Sequence, residues 1–268
     1  MMMQDVSPTD AKAAIYVWVE TLKKNILQKY NLESELFPYI YYSQTETENA
    51  LNRKEVDFIG LSTLEYYYLK DKYDLVPAIA GIVDENIYSQ YILITRFDSN
   101  INNISDLRGK IFAQAKDQFN PLINVWLYNL LKNQKITDKA NYFSKIKFEE
   151  KEANAAYSVY FKKADCAIIQ KMVYNTVCAL NPQFNNSLRI LETSPNLVLG
   201  LTALKKNTDR EVVDLINKVV ETIHLTTEGE NIIKLFKAKK LVGITETDLV
   251  STKKLIDSYN MIRKSQNK

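Results

Sequence analysis

The sequence predicts an α/β protein of two similar lobes, and three observations carry that expectation. The segment RKEVDFIGLSTLEYY beginning at Arg53 is echoed by FKKADCAIIQKMVYN beginning at Phe161, each passing from basic residues through an Asp (Asp57 or Asp165) into an apolar run, a polar step and a Tyr-bearing helical pattern. Strand-like and helix-like stretches alternate along the chain. Its 268 residues exceed the common single-domain size and suit two lobes, each able to bury a core. Strand-to-helix corners of this kind present the unpaired N–H groups of a helix N-terminus, where doubly wound proteins hold small ligands. The pattern points to a clamp and not to a catalyst.

Taken in order, Ser7-Pro8-Thr9-Asp10 reads as an N-cap, a Pro at the first helical position and a capping box, with Ala11, Ala14, Ile15, Trp18, Val19, Leu22 and Ile26 on one helical face. A short strand follows near Glu35 to Tyr39, then a helix from Thr45 to Arg53, a buried strand from Val56 to Leu61 and a helix opening at Ser62. Leu75 to Val83, Gln90 to Arg96 and Ile111 to Ala113 read as strands, and a helix starts near Asn120-Pro121. The second lobe repeats the grammar: a strand at Ile146 to Phe148, a helix from Ala153 to Phe161, a strand at Cys166 to Ile169, a helix to Leu180 and a strand at Leu188 to Glu192. Asn196 to Leu204 reads as a strand leading back, and the remainder from Asp209 as helical, through VVDLINKVVETIHL and a helix around Ile232 to Phe236. The lobes are expected at 1–93 with 197–268 and at 94–196. With only 6 glycines and no Gly/Ser-rich linker, the two crossing strands are the expected hinge.

Composition excludes several functions. Hydrophobic residues at 46% and charged residues at 25% are ordinary globular values, and a net charge of +3 spread along the chain gives a nucleic-acid role no support. Cys166 and Cys178 form no CxxC, and the single histidine, His224, permits neither a His-rich metal centre nor a catalytic triad built with a second one. No apolar run reaches the length of a membrane span, and MMMQDVSP lacks the features of a signal peptide, so the chain is expected to be cytosolic or already trimmed. No catalytic residue, metal or cofactor is expected.

Five segments carry a family resemblance: SPTDAKAAIYVW, NRKEVDFIGLSTLEYY, ISDLRGKIFA, YFKKADCAIIQ and TEGENIIKLFKAKKL, joined by ALNPQF and LETSPNLVLG. In this order and spacing the chain resembles the periplasmic solute-binding proteins of the phosphate, phosphite and phosphonate uptake class. The resemblance implies a two-lobed type II periplasmic-binding-protein fold, each lobe a mixed sheet flanked by helices. It implies a receptor that closes on a small solute and hands it to an ABC transporter permease or to a membrane sensor, outside the cytoplasm and as a monomer. In that family the first strand runs into the first helix, a place that here falls to Met1 to Val6. Carried over position by position, Ser62, Thr63 and Tyr66 fall at ligand-contacting places of the first corner, Gln170 at the second corner, Asp117-Gln118-Phe119-Asn120 at the phosphate-gripping turn and Glu152 to Asn154 at a helix start that reaches the ligand's other end.

The gripping turn departs from its relatives. A phosphoryl group wants short donors and a helix N-terminus, whereas Asp117 is an anion and Phe119 is bulky. Either the gripped group is neutral or cationic, or the first lobe holds the phosphate alone. Tyr39, Tyr41 and Tyr42 admit an aromatic cage for an ammonium group. A ligand-sensing domain of the same fold from a signalling protein is the alternative to a receptor for uptake.

Overall fold

The computed structural model describes residues 16, 19, 20, 23, 37–116, 121–136, 138–235 and 238–266. Of the expected first helix, Tyr16, Val19, Glu20 and Lys23 are described and helical; the rest of it, and Met1 to Val6, lie outside the described residues. The expected strand near Glu35 to Tyr39 does not form in its described part. Pro38 removes a donor, and Phe37 and Tyr39 are both exposed, so no alternating face is buried there. Ser43, in extended conformation, accepts from the Glu46 N–H and opens helix α1, Gln44–Asn52. Strand β1, Phe58–Ser62, runs directly into helix α2, Thr63–Tyr73, which stops at left-handed Asp74 before strand β2, Leu75–Ile82.

The next stretch is built on strand β3, Tyr91–Arg96, whose first five residues are buried. The DLRGK turn follows, with Gly109 at φ +73, a conformation that favours glycine. It leads to strand β4, Ile111–Ala115, helix α3, Leu122–Asn133, the short helix α4, Lys139–Tyr142, and strand β5, Lys145–Glu149. Helix α5, Glu152–Tyr160, strand β6, Cys166–Gln170, helix α6, Lys171–Leu180, helix α7, Gln183–Ser187, and strand β7, Leu188–Thr193, complete it. The sheet order is β5-β4-β6-β3-β7, with β4 parallel to β5 and β6, and β3 antiparallel to β6 and β7. Strand β6 is buried along its whole length, as its unbroken apolar run requires. Its core includes Ile92, Ile94, Ala155, Ala156, Val159, Ala167 and Ile169. Asp165, the repeated acid, serves the fold itself, its carboxylate accepting from the Ile111 N–H at 2.7 Å.

Strand β8, Gly200–Lys205, returns antiparallel to both β1 and β2. Helices α8, Arg210–Thr222, and α9, Thr227–Leu235, lead to strand β9, Lys240–Gly243, so the tail is not wholly helical as expected. Four residues are too short to show a period, and β9 exists because it pairs with β2, far back in the chain. This sheet has the order β1-β8-β2-β9 over a core including Ala50, Leu51, Ile59, Tyr66, Leu69, Leu201 and Ala203. Helix α10, Val250–Gln266, ends the described chain. No helix among the described residues is long and apolar enough to cross a membrane.

The chain divides into two units, residues 1–88 with 198–249 and residues 89–197 with 250–268. This differs from the expected division in three places, the smallest being Leu197, which goes with the second unit through its bridge to Ser89. Residues 89–93 go with the second unit because β3 pairs there with β6 and β7. Residues 250–268 go with it because α10 packs on α3, where Leu255 and Ile256 are buried and the Asn129 amide donates to the Leu255 carbonyl at 2.8 Å. The chain passes between units three times, not twice.

Candidate functional site

In the first unit the strand-to-helix corner closes on itself. Ser62 caps α2: its hydroxyl accepts from the Glu65 N–H at 3.2 Å and donates to the Glu65 carboxylate at 2.6 Å, and that carboxylate also accepts the Ser62 N–H at 2.8 Å. An acidic side chain thus sits at the positive end of the helix dipole, the place an external anion would take. Thr63 is buried; its hydroxyl donates to the Val198 carbonyl at 2.6 Å and its N–H to the Leu199 carbonyl at 3.1 Å, tying α2 to the segment before β8. Tyr66 is 0% exposed, with its hydroxyl donating to Glu246 at 2.6 Å. Burial is the chief reason its hydroxyl is held well above the usual tyrosine range, with the Glu246 hydrogen bond next. It is a core residue of this unit, not a group presented to a solute.

The second unit's corner is built differently. The parallel strands β5, β4 and β6 bring their C-terminal ends to one edge, after which α5, α3 and α6 begin. Gln170 stands in extended conformation at the N-cap of α6, and its side chain makes no capping bond. Instead the buried carboxylate of Glu152, first residue of α5, accepts from both the Gln170 N–H and, at 3.1 Å, its side-chain Nε2. The amide is thereby oriented with Nε2 engaged. Lys171 follows at the first position of α6, its ammonium donating to the Gln90 side-chain oxygen at 3.1 Å, while Gln90 Nε2 reaches the Ser194 carbonyl at 3.2 Å. No acidic residue occupies the first turn of α6.

The structure therefore brings Glu152 and Gln170 together, but not Asn154. That residue lies on the exposed side of α5, where with Tyr157, Ser158, Lys147, Glu149 and Lys163 it lines a depression of about 250 Å³. Asp117, Gln118, Phe119 and Asn120 lie outside the described residues. Sequence reading missed Lys171 and Gln90. The repeat held a signal for the first, since Lys171 stands where Thr63 stands in the other copy; Gln90 reaches the corner only through the antiparallel pairing of β3 with β6.

Residues 1–249 match the family described as "ABC transporter, phosphonate, periplasmic substrate-binding protein". No curated protein matches the sequence. Among solved structures, the chain is similar to XAC2383 from Xanthomonas citri bound to ATP, with a TM-score of 0.68, 14% identity and 94% of each chain covered. It is similar to PhnD1 from Prochlorococcus marinus in complex with methylphosphonate, with a TM-score of 0.63, 12% identity and 96% of each chain covered. A binding protein component of an ABC phosphonate transporter from Pseudomonas aeruginosa gives a TM-score of 0.59 at 14% identity, over 95% of this chain and 83% of that one.

Proposed function

This chain belongs to the phosphonate-type family of periplasmic substrate-binding proteins of ABC transporters, with the type II periplasmic-binding-protein fold, and we propose that it binds a small phosphonate- or phosphate-like solute through the α6 corner. The proposed cycle is binding without chemistry: a monomer closes its lobes on the solute about the crossing segments and delivers it to an ABC permease.

One contrast supports the oxyanion reading. The α2 terminus is filled by its own Glu65, which takes the cap N–H and the Ser62 hydroxyl, whereas at α6 the Glu152 carboxylate takes the Gln170 N–H from another helix, no acid lies in the first turn and Lys171 stands at the first position. The Lys171 N–H is itself taken by the Gln90 carbonyl at 2.8 Å, so what favours an anion at this end is the helix dipole with the Lys171 ammonium beside it. The option that the first lobe grips the phosphate alone has less support, because Ser62, Thr63 and Tyr66 all have their hydroxyls engaged within their own unit. The Gln170 amide, held by Glu152, leaves its oxygen to accept from an amino or hydroxyl group elsewhere on the solute.

A second reading, a cationic ammonium solute, is favoured by the stacked Tyr39 and Tyr41 rings, 6.4 Å apart, and by the carboxylates at both corners. Calorimetric titration separates the two, with methylphosphonate and inorganic phosphate in one arm and choline in the other. The oxyanion reading expects binding in the first arm, weakened about tenfold by Gln170→Glu and by Lys171→Met, since each changes the charge at the α6 terminus. Choline binding that strengthens in Gln170→Glu, with no oxyanion binding to the parent protein, would establish the ammonium reading instead. Circular dichroism melts of both variants check that they remain folded.

A further inference from the structure

The second unit contains a cavity of about 210 Å³ apart from the α6 corner, between α3, α4 and α10. Its apolar wall is Leu131 and Ile136, and its aromatic wall is Tyr128 and Tyr259, which meet edge to face with ring centroids 5.0 Å apart. Asn124, Lys132 and Lys139 supply its polar groups. The Lys132 ammonium stands 5.4 Å from the centre of the Tyr128 ring. The Lys139 ammonium donates to the neutral amide oxygen of Gln114 at 2.8 Å and lies 5.1 Å from the centre of the Phe112 ring. Among the described residues neither lysine is ion-paired.

A partly buried ammonium ordinarily has a carboxylate beside it, because desolvation without a counter-ion is costly. Burial alone lowers the Lys139 amine to about 8. Two lysines without a carboxylate partner thus line a ring-bordered space whose neutral polar side chains are Asn124 and the two tyrosines. A dry cavity of about 150 Å³ suffices for benzene, so this one has room for a ring bearing a small polar group.

We propose that this cavity is a second ligand site, taking a small organic anion whose carboxylate meets Lys139 and Lys132 and whose apolar or aromatic body lies against Tyr128, Tyr259 and Leu131. The site is separate from the proposed solute corner and does not depend on that assignment. An occupant also bridges α3 to α10, so binding holds the C-terminal helix in place.

The probe is benzoate, added to the full chain and followed by saturation-transfer NMR and thermal unfolding, with benzylamine as the same ring of opposite charge and acetate as the same charge without the ring. Benzoate is expected to bind and raise the unfolding temperature more than either control. Lys139→Met and Lys132→Gln are each expected to weaken benzoate about tenfold and to leave methylphosphonate titrations as in the parent chain. The proposal is overturned if the parent chain shows no benzoate response, if benzylamine matches benzoate, or if both variants keep the parent affinity. Loss of the benzoate response in Gln170→Glu but not in the lysine variants would place the anion at the α6 corner and overturn it equally.

Discussion

Glu246 collects three donors from one helix: the Tyr66 hydroxyl at 2.6 Å, the Tyr67 hydroxyl at 3.1 Å and the Lys70 ammonium, all on α2. Burial pushes its carboxyl upward, but the hydrogen bonds from Lys70, Tyr66 and Tyr67 outweigh that and hold it below the ordinary carboxylate range. Lys139 is the opposite case. It is a partly buried cation facing an amide oxygen, and desolvation brings it from an ordinary value of 10.5 to about 8. Between these values the unfolded chain binds the proton that the folded chain has released, so stability rises with pH across that window; below it the burial cost is fully present. Lys139→Met is therefore expected to be more stable than the parent chain at pH 7, with the advantage shrinking as pH rises from 8 towards 10.5. Urea unfolding of both proteins at a series of pH values measures this. A difference that stays constant with pH would show that Lys139 is solvated in the folded state.

At the scale of elements, three helices end in the same way, and each uses a lysine where glycine is usual. After α1, the Lys54 N–H donates to the Leu51 carbonyl and the Glu55 N–H to the Ala50 carbonyl, with Lys54 at φ 58. After α5, Lys162 and Lys163 make the same pair of bonds to Val159 and Ser158, with Lys162 at φ 59; after α3, Lys135 and Ile136 repeat them to Lys132 and Leu131, with Lys135 at φ 60. This is the Schellman ending, whose left-handed residue carries a side-chain penalty that glycine lacks. Lys54→Gly, Lys135→Gly and Lys162→Gly are each expected to raise the unfolding free energy by about 0.5–1 kcal/mol, read as a higher urea midpoint at unchanged slope. A lowered midpoint in all three would mean that the lysine side chains contribute more than the backbone strain costs. The first and second of these endings introduce the two copies of the repeat. Both copies then place a tyrosine hydroxyl 3.4 Å from the carbonyl that opens a later strand, Tyr66 to Leu75 and Tyr174 to Leu188.

At the scale of the whole molecule, α10 belongs to the second unit although it follows the last strand of the first. Its Leu255 and Ile256 are buried, and its backbone takes the Asn129 hydrogen bond. A chain ending at Leu249 is expected to lose hydrogen-exchange protection in α3 while β1, β8 and β2 keep theirs, because the removed helix packs on α3 within the second unit. Uniform loss across both sheets would show that the units do not unfold separately. A bound solute adds stability by mass action, about 2.7 kcal/mol at a hundredfold excess over its dissociation constant.

What the sequence determined by itself was local. The corner at Ser62, the buried strand at Cys166 to Ile169, the helix after Gln170 and the equivalence of the two copies all follow from caps, apolar runs and period, which act over a few residues. The tertiary structure decided where the polar groups of those elements go. The Thr63 hydroxyl meets a carbonyl 135 residues away and the Tyr66 hydroxyl a carboxylate 180 residues away, so both expected contacts were drawn into their own unit by partners that no local pattern names. Likewise Glu152 acquires its role only through the fold that sets the start of α5 beside the end of β6, and β9 and α10 find their units only by what they pack against. A buried polar group must be satisfied by whatever the fold brings near it, and that neighbour is set by topology, not by the spacing of residues along the chain.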